Sequence, residues 1–131
     1  MDNGSELDGY EPQVAMDDES IPLWVRIEEC IRLIDLALKE SKKRGRLMVE
    51  KELEYYSAKA AASYKMLQEG YANTYIQTVI KGIEGVNEAM GEYHEAEVLY
   101  KNANEAIQAL KLKLRVLENE LQRDWEQSKR M

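Results

Sequence analysis

The stretch AMGEYHEAEVLYKNANEAIQALKLKLRVLENEL, residues 89–121, decides the fold of this 131-residue chain. Apolar and tyrosine side chains recur along it in alternating steps of four and three residues. This spacing keeps one seam of an α-helix facing a partner helix, as in a coiled coil. The seam consists of Ala89, Tyr93, Ala96, Tyr100, Ala103, Ile107, Leu110, Leu114, Leu117 and Leu121. The sequence therefore predicts a long helix that lies along another helix.

An earlier segment supplies that partner helix. Ser20 and Pro22 form a helix-start signal, and the helical pattern runs to Glu69 with Gly70 at its C-terminal cap. Two apolar faces follow one another along this segment. The first contains Trp24, Ile27, Ile31, Ile34 and Leu38, and the second contains Val49, Leu53, Tyr56, Ala60 and Leu67. Between them lies a polar run that includes Gly45, so we expect a kink, a phase slip or a short break there.

The rest of the chain completes an all-α hairpin. Asn73 or Thr74 is expected to cap a short helix that ends before Gly82, and the last helix runs over about residues 84–129. The two long segments, residues 22–69 and 83–130, are each 48 residues long, which fits a long antiparallel, coiled-coil-like hairpin with the short helix at its tip. At the open end, the first apolar face is expected to pack against Leu110, Leu114, Leu117, Leu121 and Trp125.

Apolar residues beside the main seam predict that a further helix covers them. They make the apolar arc wider than one seam needs, and they are Leu99, Ala106, Ala109, Leu112 and Val116. Either a kink near Gly45 folds the first helix back into a three-helix bundle, or two hairpins associate. We favour a two-fold homodimer, because that is the commonest way to bury one surplus face.

Charge divides the chain into two domains. Residues 1–20 carry seven acidic residues and no Lys or Arg, whereas residues 21–131 hold equal numbers of acidic and basic residues. A segment this polar cannot bury enough apolar surface to fold, so we expect a disordered acidic tail before one helical domain. The tail either solubilises the protein, or mimics nucleic-acid charge, or masks a basic surface of the helical domain.

The sequence also bears on the compartment. No apolar run approaches the roughly 18 residues of a membrane span, and the N-terminus lacks a basic patch followed by a hydrophobic stretch. Cys30 is the only cysteine, which agrees with a reducing compartment, and its isoleucine neighbours indicate a small buried hydrophobe. We therefore expect a cytoplasmic protein with no membrane partner.

Catalytic signatures are lacking in the sequence. It contains no glycine-rich phosphate loop, no CxxC pair and no recognisable pair of catalytic carboxylates. The single histidine, His94, has Glu97 three residues later, but helical metal sites need a second Glu–His pair from another helix. We therefore expect a solvated histidine, no metal or cofactor, and a protein that is not an enzyme.

Basic residues form one candidate recognition surface. If residue 44 lies opposite residue 108 in the hairpin, two basic runs meet in a girdle that binds a nucleic-acid backbone or docks the acidic tail. The residues concerned are Lys42, Lys43, Arg44, Arg46, Lys111, Lys113 and Arg115. A solvated charged surface is the simpler interpretation.

The tip forms the second candidate surface. Residues 58–82 follow the order of a helix-turn-helix, and Asn73 and Gln77 could read adenine edges, but Lys81 is the single cation of the short helix. DNA binding is therefore the alternative, and we favour protein binding, because aromatic residues dominate binding hot spots. The predicted exposed anchors are Tyr71, Tyr75, Ile76 and Ile80.

The same region carries a family resemblance. The tip EGYANTYIQTVIKG, residues 69–82, and the helix YKNANEAIQALKLKLRVLENELQRDW, residues 100–125, resemble small all-helical proteins of the early region of temperate phages and prophages of Gram-positive bacteria. The resemblance implies an inhibitor, an anti-defence factor or a replication or recombination accessory. Such a protein acts in the host cytoplasm on a host or phage protein machine.

Overall fold

The computed structural model describes residues 17–130, and in that part of the chain the fold is all-α, without a β-strand. Helix α1 spans Leu23–Gln68, α2 spans Asn73–Val79, a 3₁₀ turn spans Ile80–Gly82, and α3 spans Glu84–Arg130. The antiparallel hairpin with a short helix at its tip is confirmed. Most of the predicted acidic tail, residues 1–16, lies outside the described residues.

The start of α1 follows from local hydrogen bonding. The Asp18 carboxylate accepts hydrogen bonds from the Ser20 hydroxyl at 2.6 Å and the Ser20 backbone N–H at 2.9 Å. These bonds lower the pKa of Asp18. The Pro22 carbonyl then accepts hydrogen bonds from Val25 N and Arg26 N at 3.0 and 3.1 Å. The predicted helix start at Pro22 is thereby confirmed.

Helix α1 passes Gly45 without a break, so the predicted interruption there is wrong. The three-helix bundle that depended on α1 folding back is wrong for the same reason. Gly45 serves packing instead, because a Cβ at this position would lie 3.1 Å from Tyr100 Cε1 on α3. The missing side chain lets the two helices approach closely.

The chain divides into two compact units. The terminal unit combines the segment ending at Lys39 with the segment beginning at Asn104, and the tip unit is Glu40–Ala103. Each unit contains parts of both long helices.

In the terminal unit, α1 packs through small and apolar residues. Cys30, Leu33 and Ala37 form a buried cluster with residues of α3, namely Ile107, Leu110 and Leu117. The Cys30 Sγ donates a hydrogen bond to the Leu110 carbonyl at 3.4 Å, and burial raises the pKa of the thiol. The prediction that Cys30 is a buried hydrophobe is confirmed.

The predicted packing face of α1 is wrong in this unit. Trp24, Ile31 and Leu38 are 62%, 51% and 47% exposed, and only Ile27 and Ile34 pack partly against the core. Cysteine and alanine on the neighbouring stripe allow a closer helix approach than a stripe of bulky residues. The bulkier stripe therefore faces outward.

The end of α3 also departs from the prediction. Arg26 Nη1 lies 3.8 Å from Glu120 Oε2, which places the beginning of α1 opposite residue 120. Helix α3 continues for ten residues past that point, and residues 121–130 are all exposed. Leu121 and Trp125 therefore do not pack against α1. The rest of the α3 seam, Ala89 through Leu117, is buried or half-buried as predicted.

In the tip unit, α2 packs beside the end of α1. Ile76 and Ile80 are fully buried with Tyr55 and Val86, against partly buried residues that include Ala58, Ala62 and Met66 of α1. Because α2 covers the last turns of α1, α3 begins opposite residues further back along that helix. The Arg44 guanidinium accordingly bonds the Leu99 carbonyl at 2.9 Å. Residue 44 thus lies opposite residue 99, and the predicted register with residue 108 is wrong.

Candidate protein-interaction site at the helical tip

The turn after α1 is a glycine-dependent helix cap. Gly70 has a φ of 94°, a conformation that L side chains rarely adopt. Its N–H donates to the Leu67 carbonyl at 3.0 Å, and the Tyr71 N–H donates to the Met66 carbonyl at 3.1 Å. This pair of bonds is the Schellman motif. It confirms the predicted cap and fixes where the chain presents Tyr71.

Helix α2 begins without a side-chain cap. Ala72 is the N-cap residue, and its carbonyl accepts the Ile76 N–H at 3.0 Å. The predicted capping by Asn73 or Thr74 is therefore wrong, and both of these residues are exposed. Extended backbone at Ala72 aims the helix so that one side meets the core and the other meets solvent.

Two of the four predicted anchor residues are not exposed. Ile76 is 0% exposed and Ile80 is 1% exposed, because both lie in the core of the tip unit. A buried side chain cannot contact a partner directly, so the prediction of exposed anchors is wrong at these two positions. Their role is to hold α2 in place.

The other two anchors form a stacked aromatic pair on the surface. The rings of Tyr71 and Tyr75 have centroids 5.3 Å apart and an interplanar angle of 22°, and the two residues are 48% and 50% exposed. Stacking restricts the ring rotamers before any partner binds. Both backbones are also fixed, Tyr71 by the Gly70 cap and Tyr75 by its position beside the buried Ile76. The result is a pre-ordered apolar surface with two hydroxyl groups.

The far end of α2 is tied to α3. The Asn87 side chain donates to the Lys81 carbonyl at 3.2 Å, and the Asn87 N–H donates to the Ile83 carbonyl at 2.7 Å. Together with the buried Ile80, these bonds fix the 3₁₀ turn. The aromatic pair is therefore carried by an element held at both ends.

Further along the tip unit, aromatic and charged residues brace α1 against α3. Tyr55 and Tyr93 stack with centroids 6.0 Å apart, and the Tyr93 hydroxyl donates to Glu52 at 3.2 Å. Partial burial and the Glu52 carboxylate raise the pKa of Tyr93 to about 12. The Lys51 ammonium bonds Glu92 at 2.9 Å, which raises the pKa of the lysine.

Arg44, in the middle of the predicted basic surface, lies in a contact between two helices. The Arg44 side chain is 9% exposed, and its Nε bonds the Glu40 carboxylate at 2.8 Å while Nη1 bonds Leu99. Arg44 therefore bridges the two helices and is not placed to bind a phosphate, contrary to the prediction. Sequence reasoning missed this bridge, although Glu40 and Arg44 stand at the i,i+4 spacing of a helical ion pair.

The remaining predicted basic residues are placed on the surface. Lys42, Lys43 and Arg46 are exposed in the tip unit. In the terminal unit, Lys111 and Arg115 are exposed, and Lys113 forms an ion pair with Asp17. A single girdle made from both runs stays a prediction. The Asp17–Lys113 pair shows that an acidic residue preceding α1 reaches one of these cations.

The only histidine lies on the surface beside an acid. His94 Nδ1 is 3.0 Å from Glu97 Oε1, and both side chains are exposed. Among residues 17–130, no group of three or more His, Cys, Asp or Glu side chains is arranged to hold a metal ion. None of the helices in that range combines the length and apolarity that crossing a membrane requires.

Comparisons with protein-family models, with curated proteins and with solved structures gave no match.

Proposed function

We propose that this protein is a non-enzymatic interaction module that captures a protein partner through the Tyr71–Tyr75 pair. The observation that carries the proposal is the stacked, half-exposed geometry of these two rings on a fixed support. Tyrosine is enriched at binding hot spots, since each ring supplies a large contact area and a polar handle.

Pre-organisation favours this use of the tip. Binding normally costs conformational entropy when side chains become ordered, about 0.5–1.5 kcal/mol for each flexible side chain. The stacked rings and the Gly70 cap have already restricted both tyrosines. A partner that accepts them therefore loses less affinity to ordering than one that binds two isolated, mobile tyrosines.

The surroundings of the pair indicate the chemistry of the partner. On α2 and its 3₁₀ turn the single charged residue is Lys81, and Asn73, Thr74 and Gln77 are exposed and neutral. A nearly neutral, aromatic surface with amide and hydroxyl groups fits an apolar pocket with a few hydrogen-bonding groups at its edge. We infer a folded protein surface as the partner.

The resemblance to phage proteins suggests a biological setting for this module. A small helical adaptor or inhibitor from a phage or mobile element would act on a host or phage protein machine in the bacterial cytoplasm. Defence, replication and recombination complexes are the classes of machine that the resemblance suggests. DNA binding by the tip is the alternative, and the lone Lys81 makes it the weaker one, because phosphate contacts supply most of the affinity for DNA.

The test is quantitative affinity capture from a lysate of a Gram-positive bacterium, with half of each sample treated with nuclease. The tip variant is Tyr71→Ala with Tyr75→Ala. The matched control is Tyr56→Ala with Tyr64→Ala, which also removes two tyrosines that are more than half exposed in the tip unit. Circular dichroism shows whether both variants keep the helical fold.

We expect a specific protein to be retained by the unmodified chain and by the control variant, with and without nuclease. Its recovery should fall at least tenfold with the tip variant. Equal recovery with the tip variant would overturn the assignment of the site to the tyrosine pair. Loss of recovery after nuclease would overturn the protein-binding proposal in favour of nucleic acid.

A further inference from the structure

A second apolar stripe on α1 lies at the edge of the core of the terminal unit. This outer seam consists of Trp24, Ile27, Ile31, Ile34 and Leu38. Three of its residues are 47–62% exposed and the two isoleucines between them are half-buried. Its residues recur in steps of three and four, the spacing of a seam that pairs with a helix.

The inner stripe of α1 is already occupied by α3. It contains Cys30, Leu33 and Ala37, which are 0–2% exposed. Helix α1 thus carries two stripes suited to helix contact in this unit. Among residues 17–130 the inner stripe packs against α3, whereas Trp24, Ile31 and Leu38 of the outer seam remain exposed. A helix that is apolar on two sides normally has neighbours on both.

The size of the outer seam decides what kind of contact it supports. Its five side chains leave on the order of 400 Å² of apolar surface exposed on each chain, which is within the range of about 300–600 Å² for the largest apolar patch of a typical monomer. A standard stable interface buries about 800 Å² on each partner. The outer seam alone therefore supports a weak, concentration-dependent association.

The residue order of the outer seam is self-complementary. If two copies of α1 run antiparallel about a two-fold axis midway between residues 32 and 33, Ile31 of each copy faces Ile34 of the other. Ile27 then faces Leu38, so that the four central layers contain only aliphatic side chains, and Trp24 faces Ser41 at each end. Since identical surfaces satisfy each other in this way, a second copy of the chain is the partner that the seam fits.

Charges beside the seam neither assist nor oppose this arrangement. Asp35 and Lys39 already form an ion pair at 3.4 Å within each chain. Glu28 of one copy falls between these two residues of the other copy, beside one charge of each sign. The aliphatic layers therefore determine the pairing.

We propose that the outer seam pairs with the outer seam of a second copy, giving an antiparallel homodimer whose terminal units form a four-helix contact. This surface is separate from the tyrosine pair, so the dimer and the proposed partner-binding function can fail independently. Four-helix packing of two hairpins is an established way to cover faces that one hairpin leaves exposed.

The test is sedimentation equilibrium of the full chain between 1 and 500 µM, carried out for the unmodified protein and two variants. Ile31→Glu places carboxylates at the centre of the seam and should raise the dimer dissociation constant at least about 100-fold. Leu36→Glu is the matched control, because Leu36 is 45% exposed on the same helix but lies away from the seam. It should change the constant by less than about threefold. If Ile31→Glu lowers helicity, Ile31→Ser replaces it.

Two results would overturn the proposal. One is a monomer throughout the concentration range, and the other is an oligomer that Ile31→Glu and Leu36→Glu weaken equally. The antiparallel orientation has its own test by oxidation of cysteine variants. Ile27→Cys with Leu38→Cys should give a covalent dimer, whereas Trp24→Cys should not, because the two copies of residue 24 lie about 25 Å apart along the axis. Cross-linking of Trp24→Cys alone would overturn the orientation.

Discussion

Replacing Gly45 by alanine tests how closely α1 and α3 approach each other in the tip unit. A Gly→Ala change inside a helix ordinarily stabilises it by about 1 kcal/mol. At this position, however, the new Cβ would lie 3.1 Å from Tyr100 Cε1 and 3.5 Å from Cδ1, so the ring must move. Overpacking of a close contact costs about 1–3 kcal/mol. We therefore expect Gly45→Ala to be neutral or to destabilise the protein by about 2 kcal/mol at most.

Gly91 provides a matched comparison inside α3. It is exposed, and a Cβ there would meet no atom within 4 Å. Gly91→Ala should therefore give the full helix-propensity gain of about 1 kcal/mol. In a Tyr100→Ala background the obstacle at Gly45 is removed, so Gly45→Ala should then stabilise by a similar amount.

The assay is urea unfolding followed by circular dichroism at 222 nm, with the free energy of unfolding taken from the midpoint and slope. The unmodified protein, Gly45→Ala, Tyr100→Ala and the double variant form a double-mutant cycle between Gly45 and Tyr100, with Gly91→Ala as the external standard. If Gly45→Ala stabilises the unmodified protein as much as Gly91→Ala does, the reasoning about a close helix approach at Tyr100 is refuted.

Three further predictions concern packing and charge. Ile76→Ala should lower the free energy of unfolding by about 2–5 kcal/mol in urea titrations, since it removes a fully buried side chain of the tip core; a loss under 1 kcal/mol would contradict its place in the core. Arg44→Met should cost about 3 kcal/mol, because it leaves the largely buried Glu40 without that ion pair, and Arg44→Met with Glu40→Met should recover part of the loss. The pKa of Tyr93 is raised to about 12, so the folded state keeps a proton that an unfolded tyrosine loses near pH 10. The stability advantage of the unmodified protein over Tyr93→Phe should accordingly shrink between pH 10 and 12, and a constant difference in unfolding free energy would contradict the raised pKa.

The sequence predicted helix positions well wherever one local signal acted alone. Pro22 and Gly70 mark the start and the end of α1 as expected, because a proline at a helix start and a glycine with positive φ act through their own backbone. The α3 seam was also predicted correctly through Leu117, since α3 has one dominant apolar stripe.

The packing face of α1 could not be predicted in the same way. Two apolar stripes compete on that helix, and the bulkier one, which includes Trp24 and Ile31, is the more conspicuous in the sequence. The stripe with Cys30 and Ala37 packs against α3 instead, because small residues permit a close approach whose benefit depends on both helices together. Such a benefit is a property of the helix pair and is not visible in one helix.

In the candidate site, too, the residues marked by a local signal were predicted correctly and those that depend on helix packing were not. The exposed tyrosines could be found from the sequence, because aromatic residues beside a glycine turn are a local signal. The burial of Ile76 and Ile80 and the register of Arg44 both depend on α2 lying beside the end of α1. Equal helix lengths predicted that residue 44 lies opposite residue 108. Because α2 covers the end of α1, residue 44 lies opposite residue 99 instead, a shift of nine residues.

The two-unit arrangement has a consequence for optical spectroscopy. Both tryptophans, Trp24 and Trp125, belong to the terminal unit, whereas every tyrosine among the described residues lies within Glu40–Ala103. Excitation at 295 nm therefore reports on the terminal unit alone. Near-ultraviolet tyrosine dichroism reports on the tip unit once the contribution of Tyr10, which precedes the described residues, is removed. In a Tyr10→Phe variant all tyrosines belong to the tip unit and both tryptophans to the terminal unit. Comparing the two melting curves of that variant measures, without any label, whether the units unfold cooperatively.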